Sequence, residues 1–112
     1  MDERRKYVRI PEKAEISYSV VSAAISGQCT TSDVSQGGIR FTTDHFIPKD
    51  SRLKVKITFS DASVTIEALV KMVWIKELPA GGLYEIGAQF IDISQKASDH
   101  LLGYIQSLVN KR

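Results

Sequence analysis

The sequence predicts an all-β domain followed by one C-terminal helix, a six-stranded antiparallel β-barrel with a helix packed on it. Three observations carry this. Apolar residues alternate with polar ones at period two in successive short runs, each bounded by turn-forming residues. From Ser94 onward the apolar spacing changes to three and four, the period of a helix. One apolar run is long enough to favour the bending that closes a barrel.

Ala14, Ile16, Tyr18 and Val20 alternate with Glu15, Ser17 and Ser19, so the first strand has one apolar and one polar face. Ser26-Gly27 predicts a turn, and residues 28–32 a Thr-rich strand. Asp33 to Gly38 predicts a break in that strand, which resumes over 39–43. Residues 45–51, with Pro48, predict a loop. Leu53, Val55, Ile57 and Phe59 alternate with Lys54, Lys56 and Thr58. A turn at 60–63 follows, then a long strand with Val64, Ile66, Ala68, Val70, Met72 and Trp74 on one face. Residues 79–82 turn the chain again, and 84–91 form the sixth strand. Ala97, Leu101, Leu102, Ile105, Leu108 and Val109 define an amphipathic helix over 95–110, with Ser94 as its N-cap. Lys111 and Arg112 then suit the negative end of the helix dipole. The helix is expected over a barrel opening or on a sheet edge.

A chain of 112 residues is one domain with room for a core. Its 43% hydrophobic and 25% charged residues are ordinary for a globular protein. A net charge of +2 argues against a protein that coats nucleic acid. The cations are clustered, however: Arg4, Arg5, Lys6, Arg9 and Lys13 all precede the first strand. Residues 1–12 are therefore expected to form a flexible Arg-rich arm, and 13–112 the barrel with its helix. The charged start has no secretory h-region, and no apolar run is long enough to cross a bilayer. One cysteine, Cys29, excludes an internal disulfide and fits a reducing compartment, so a cytoplasmic location is expected. His45 and His100 lack metal-ligand spacing, and no nucleophile elbow or triad motif is present. Neither a metal site nor an enzyme is expected.

The chemistry-bearing segments are two. Arg4-Arg5-Lys6-Tyr7-Val8-Arg9 places three guanidinium groups on one short stretch. Arginine forks match phosphate oxygens and the O6/N7 edge of guanine, and stack on purine faces. Asp33-Val34-Ser35-Gln36-Gly37-Gly38 puts a carboxylate, a hydroxyl and two glycines in one turn. Its bland interpretation is a self-capped turn in which Asp33 accepts backbone N–H groups two residues on. Its functional interpretation has Asp33 accepting from the N1–H and N2–H edge of guanine, with Gly leaving room for a purine.

Arg5-x-x-x-Arg9 ahead of Asp33-x-Ser35-x-x-Gly38 resembles the PilZ domain, the bacterial receptor module for cyclic di-GMP (c-di-GMP). Val73-Trp74, Gly87-Ala88-Gln89-Phe90 and residues 99–105 are similar to that family's last strands and closing helix. Gly37 beside Gly38 is a mild variation that should loosen the turn. The resemblance implies a PilZ-like split barrel, with c-di-GMP as ligand and no cofactor. Carried over, Arg5 and Arg9 bind guanine edges and phosphates, Asp33 and Ser35 hold a guanine, and Gly38 shapes the turn. Arg4 would favour a stacked pair of ligand molecules, while Gly37 and Trp74 are further candidate contacts. For Trp74 the competing expectation is a core aromatic.

The expected function is a second-messenger receptor whose arm changes conformation on binding and signals to an unidentified effector protein. The expected state is a monomer or weak homodimer, without nucleic acid or membrane insertion. The alternative is a ligand-independent PilZ-fold adaptor for protein–protein interaction. A single-strand nucleic-acid binder would need exposed aromatics interleaved with basic residues, whereas Tyr18, Phe59, Trp74 and Phe90 fall on the apolar alternation.

Overall fold

The computed structural model describes residues 14–59 and 65–110. The arm at 1–12 with Arg4, Arg5 and Arg9, the turn at 60–63, Val64 and Lys111–Arg112 lie outside the described residues. Six strands are formed: β1 (Ala14–Val20), β2 (Ser26–Ser35), β3 (Gly38–Thr43), β4 (Arg52–Phe59), β5 (Thr65–Glu77) and β6 (Tyr84–Ile93). They close into an antiparallel barrel in the order β1-β2-β3-β6-β5-β4, and the helix α1 (Gln95–Asn110) follows.

The period-two patterns set the register. β1 and β4 pair from Ala14–Phe59 to Val20–Leu53, which puts every apolar residue of both strands on the inner face. Ile16, Leu53, Val55, Ile57, Ile66, Met72, Phe41 and Ile86 fill the interior, so the barrel is a packed core and not a channel. The helix buries Leu101, Tyr104 and Ile105 in this core, with Ala97 and Leu108 packed against it. The Tyr104 ring lies 4.3 Å from that of Phe59. Phe59 ends β4, so α1 covers the barrel end where β1 begins and β4 finishes. Ser94 caps the helix as its sequence predicts: its Oγ accepts from Ala97 N at 3.0 Å.

Three expectations are corrected. The turn placed at Ser26-Gly27 falls earlier, at residues 21–24, and both residues belong to β2. A Gly in a strand tolerates this because the Tyr18 hydroxyl occupies the space a Cβ would take. The segment from Asp33 to Gly38 does not break the strand. β2 runs through Ser35, β3 starts at Gly38, and Gln36-Gly37 alone forms the turn. Third, Trp74 does not share a face with Met72. A bulge between Met72 and Trp74 pairs Met72 with Ala88 and Trp74 with the adjacent Gly87. The inserted residue inverts the alternation. Met72 is fully buried, while Trp74 is 38% exposed on the outer face.

Candidate functional site

The β2–β3 hairpin is tight because Ser35 organises it. Ser35 Oγ accepts from Gly37 N at 3.1 Å and Gly38 N at 3.2 Å, and its hydroxyl faces Gly38 O at 3.4 Å. Two amides that a short turn would leave bare are thereby satisfied. Ser35 is 4% exposed, so these bonds lie in a dry setting. Gly37 O accepts from Phe90 N at 3.0 Å, tying the turn to β6. Gly38 is required by crowding, not by a left-handed backbone: a Cβ there would sit 2.1 Å from the Ala88 carbonyl oxygen.

Asp33 is held from the neighbouring strand. Its Oδ2 takes a 2.7 Å charge-assisted bond from Arg40 Nη2. The two are cross-strand partners, Asp33 on β2 and Arg40 on β3, placed beside each other by a register shift between Thr31 and Asp33. The Asp33 side chain is 9% exposed and that of Arg40 38%. Arg40 also lies 3.9 Å from Glu85, through Nε to Oε2. Nε itself is buried without a hydrogen-bond partner.

Arg40 pairs in register with Gly87 on β6, and Gly87 with Trp74 on β5. Asp33, Arg40, Gly87 and Trp74 therefore form one row across four strands, about 14 Å wide at the usual strand spacing. A second row runs beside it: Ser35, Gly38, Gln89, Lys71 and Arg52. Both rows lie on the outer face, because Val34, Ile39, Phe41 and Ala88 between them point into the core. The surface is mostly polar and carries Arg40, Lys71 and Arg52, with Arg40 paired to Asp33 and Lys71 3.8 Å from Asp50.

The structure thus brings Asp33, Ser35, Gly37 and Gly38 together, with Trp74 on the same face three strands away. Arg40 and Lys71 are neighbours that the sequence alone did not single out, and Gly87 entered there only through the likeness of the last strands. The period-two alternation carries a signal for Arg40, which must share the face of Gly38 two residues before it. Among the described residues no group of three or more His, Cys, Asp or Glu is placed to hold a metal ion. No described helix is long and apolar enough to cross a membrane.

With the lumen filled, the described residues offer a ligand their outer face. The molecule is a small closed-barrel domain with a polar site on the outside of its sheet. The chain belongs to the PilZ domain family, whose sequence pattern matches residues 3–107. A search of curated protein sequences returns no match. Among solved structures, the chain is similar to the inhibitor of motility MotI/DgrA of Bacillus subtilis. TM-score is 0.82 and identity 20%, over 99% of this chain and 54% of that one. The PilZ domain of YcgR from Escherichia coli, solved with c-di-GMP, gives a TM-score of 0.75 at 15% identity, over 97% of this chain and 94% of that one. The K. pneumonia MrkH–c-di-GMP complex gives 0.79 at 15% identity, over 99% and 54%. The chain spans about half the length of MotI/DgrA and MrkH. At these identities the likeness establishes the shared fold.

Proposed function

We propose that this PilZ domain is a receptor for c-di-GMP and not an enzyme. One observation carries the proposal: the Asp33-x-Ser35-x-x-Gly38 hairpin sits on the outer barrel face, with its carboxylate held beside an arginine. The family membership and the c-di-GMP in the YcgR and MrkH structures support the choice of ligand. In the proposed mechanism Asp33 accepts from the N1–H and N2–H groups of a guanine. Ser35 and Gly38 keep the hairpin tight and so hold that carboxylate in place on the outer face of the barrel. Arg5 and Arg9 close over the phosphates and the other guanine edges, and Arg4 provides for a second, stacked ligand. Ligand and arm together present a new surface to an effector protein in the cytoplasm.

Titration calorimetry with c-di-GMP tests this directly. The expected result is micromolar or tighter binding that Arg9→Ala and Asp33→Ala each abolish. Absence of heat at high micromolar ligand with the intact chain rejects it.

A second reading, a ligand-independent adaptor, is favoured by one feature. The Ser35 hydroxyl is already engaged within its own turn, so the hairpin is stable without a guest. A partner bound equally well by a chain lacking residues 1–12, with or without c-di-GMP, selects that reading. MrkH is described as a c-di-GMP-dependent transcription regulatory factor. The modest net charge of this chain keeps our proposal to a protein effector.

A further inference from the structure

We propose that Arg40 is a positioning residue that gives the site its preference for guanine, by fixing the plane of the Asp33 carboxylate. This rests on the c-di-GMP reading above and assigns a role to a residue outside both arginine-arm and hairpin motifs.

A carboxylate's terminal torsion is broad and roughly two-fold, so an unrestrained Asp offers its oxygens in many planes. Guanine presents two adjacent donors, N1–H and N2–H, and both bond well only when the two oxygens lie in the plane of the base. The 2.7 Å contact from Arg40 Nη2 to Asp33 Oδ2 restrains that torsion. The Asp33 side chain is 9% exposed, a setting in which such a bond is strong and its loss is felt. The conformation of Arg40 is itself informative. Its Nε is buried without a hydrogen bond, and Glu85 at 3.9 Å is too distant to provide one. A buried donor left unsatisfied is unfavourable. The side chain adopts this arrangement while its far end keeps the short bond to Asp33. Arg40 is thus placed for Asp33 at the expense of its own hydrogen bonding.

Arg40 also has a fixed base. Its partner in β6 is Gly87, whose missing side chain leaves the space filled by the Trp74 indole. Arg40 therefore lies between the carboxylate and the aromatic in the row across the strands.

The test uses the intact chain, Arg40→Gln, Arg40→Met and Arg40→Lys, titrated with c-di-GMP and with its inosine analogue, which lacks the N2 amine. Circular dichroism and thermal melts establish folding. In the neutral variants c-di-GMP affinity is expected to fall about tenfold or more, the scale of a hydrogen bond to a charged group. The preference of the wild type for c-di-GMP over the inosine analogue is expected to narrow as well. Arg40→Lys keeps a cation without the planar fork and is expected to recover part of both. A purely structural role would lower the melting temperature and leave the preference unchanged. A folded neutral variant with affinity and preference within about twofold of wild type overturns the inference. In that case wild-type binding still stands and only the role of Arg40 falls. Failure of the wild type to bind c-di-GMP removes both.

Discussion

Gly87 makes room for the Trp74 indole: a Cβ on Gly87 would lie 2.2 Å from Trp74 Nε1 and 2.3 Å from Cε2. The bulge that turns Trp74 outward and the glycine that accepts its ring are thus one feature. Gly87→Ala is expected to displace the ring and destabilise the domain by about 1–3 kcal/mol, the range of a modest overpacking. Adding Trp74→Ala to that variant should recover part of the loss. Urea denaturation of the two single variants and the double variant checks this, and additive losses would refute the pairing.

Trp74 is the only tryptophan, so its emission reports this face alone. It is 38% exposed and in line with Asp33 and Arg40. Adding c-di-GMP is expected to change its emission in the wild type and not in Asp33→Ala. Binding seen by calorimetry with unchanged fluorescence would remove Trp74 from the list of contacts.

At Gly38 the obstruction is main chain and not a movable ring. A Cβ would sit 2.1 Å from the Ala88 carbonyl oxygen and 3.2 Å from Gln89 Cα. Gly38→Ala must therefore spread β3 from β6, and should cost more than Gly87→Ala. Denaturation midpoints of the two variants give the order directly. A Gly38→Ala domain as stable as wild type would mean that the strands separate easily here.

The barrel was legible because its apolar residues alternate cleanly. Leu53, Val55, Ile57 and Phe59 alone fix the face and register of β4. The helix was legible from its change of period, and Ser94 from its place before that change. Tyr104 carries no clear core signal because its ring is amphipathic, although it packs against the Phe59 ring at a 33° tilt. The hairpin motif was legible as a set of residue types, but not the partner of Asp33. That partner depends on a register shift between Thr31 and Asp33, which no local pattern encodes. Trp74 departs from the face its alternation predicts for a similar reason: one bulged residue inverts parity for everything beyond it.

The cap at Ser94 offers a separate test of the helix. Its Oγ satisfies Ala97 N, one of the amides left bare by the start of α1. Ser94→Ala is expected to cost about 0.5–2 kcal/mol and to leave ligand affinity unchanged, since α1 covers the barrel end and not the hairpin face. A matching loss of c-di-GMP affinity in calorimetry would show that the helix end is coupled to the site.

Alkaline pH should weaken the fold through the interior of β1 and β2. Burial raises the Cys29 thiol from an ordinary value of 9.0 to about 11, with the Asp44 carboxylate adding to the effect. Burial also raises Tyr18, opposed by its hydrogen bond with Thr43. Below about pH 9 both the folded and the unfolded chain keep the Cys29 proton, and the contribution of this group is fully present. Between about 9 and 11 the unfolded chain loses that proton and the folded chain holds it. The unfolded state then binds fewer protons, so stability falls as pH rises through this window. Tyr18 acts in the same sense at higher pH. Thermal melts from pH 8 to 10.5 should show a falling midpoint, and Cys29→Ala should make the fall shallower. The same shift predicts a slow thiol: at pH 8 the thiolate fraction is about a hundredfold below that of an unshifted cysteine, so alkylation in the folded state should lag the denatured chain. Equal alkylation rates in the two states would show that Cys29 is open to solvent and would remove the basis for the pH dependence.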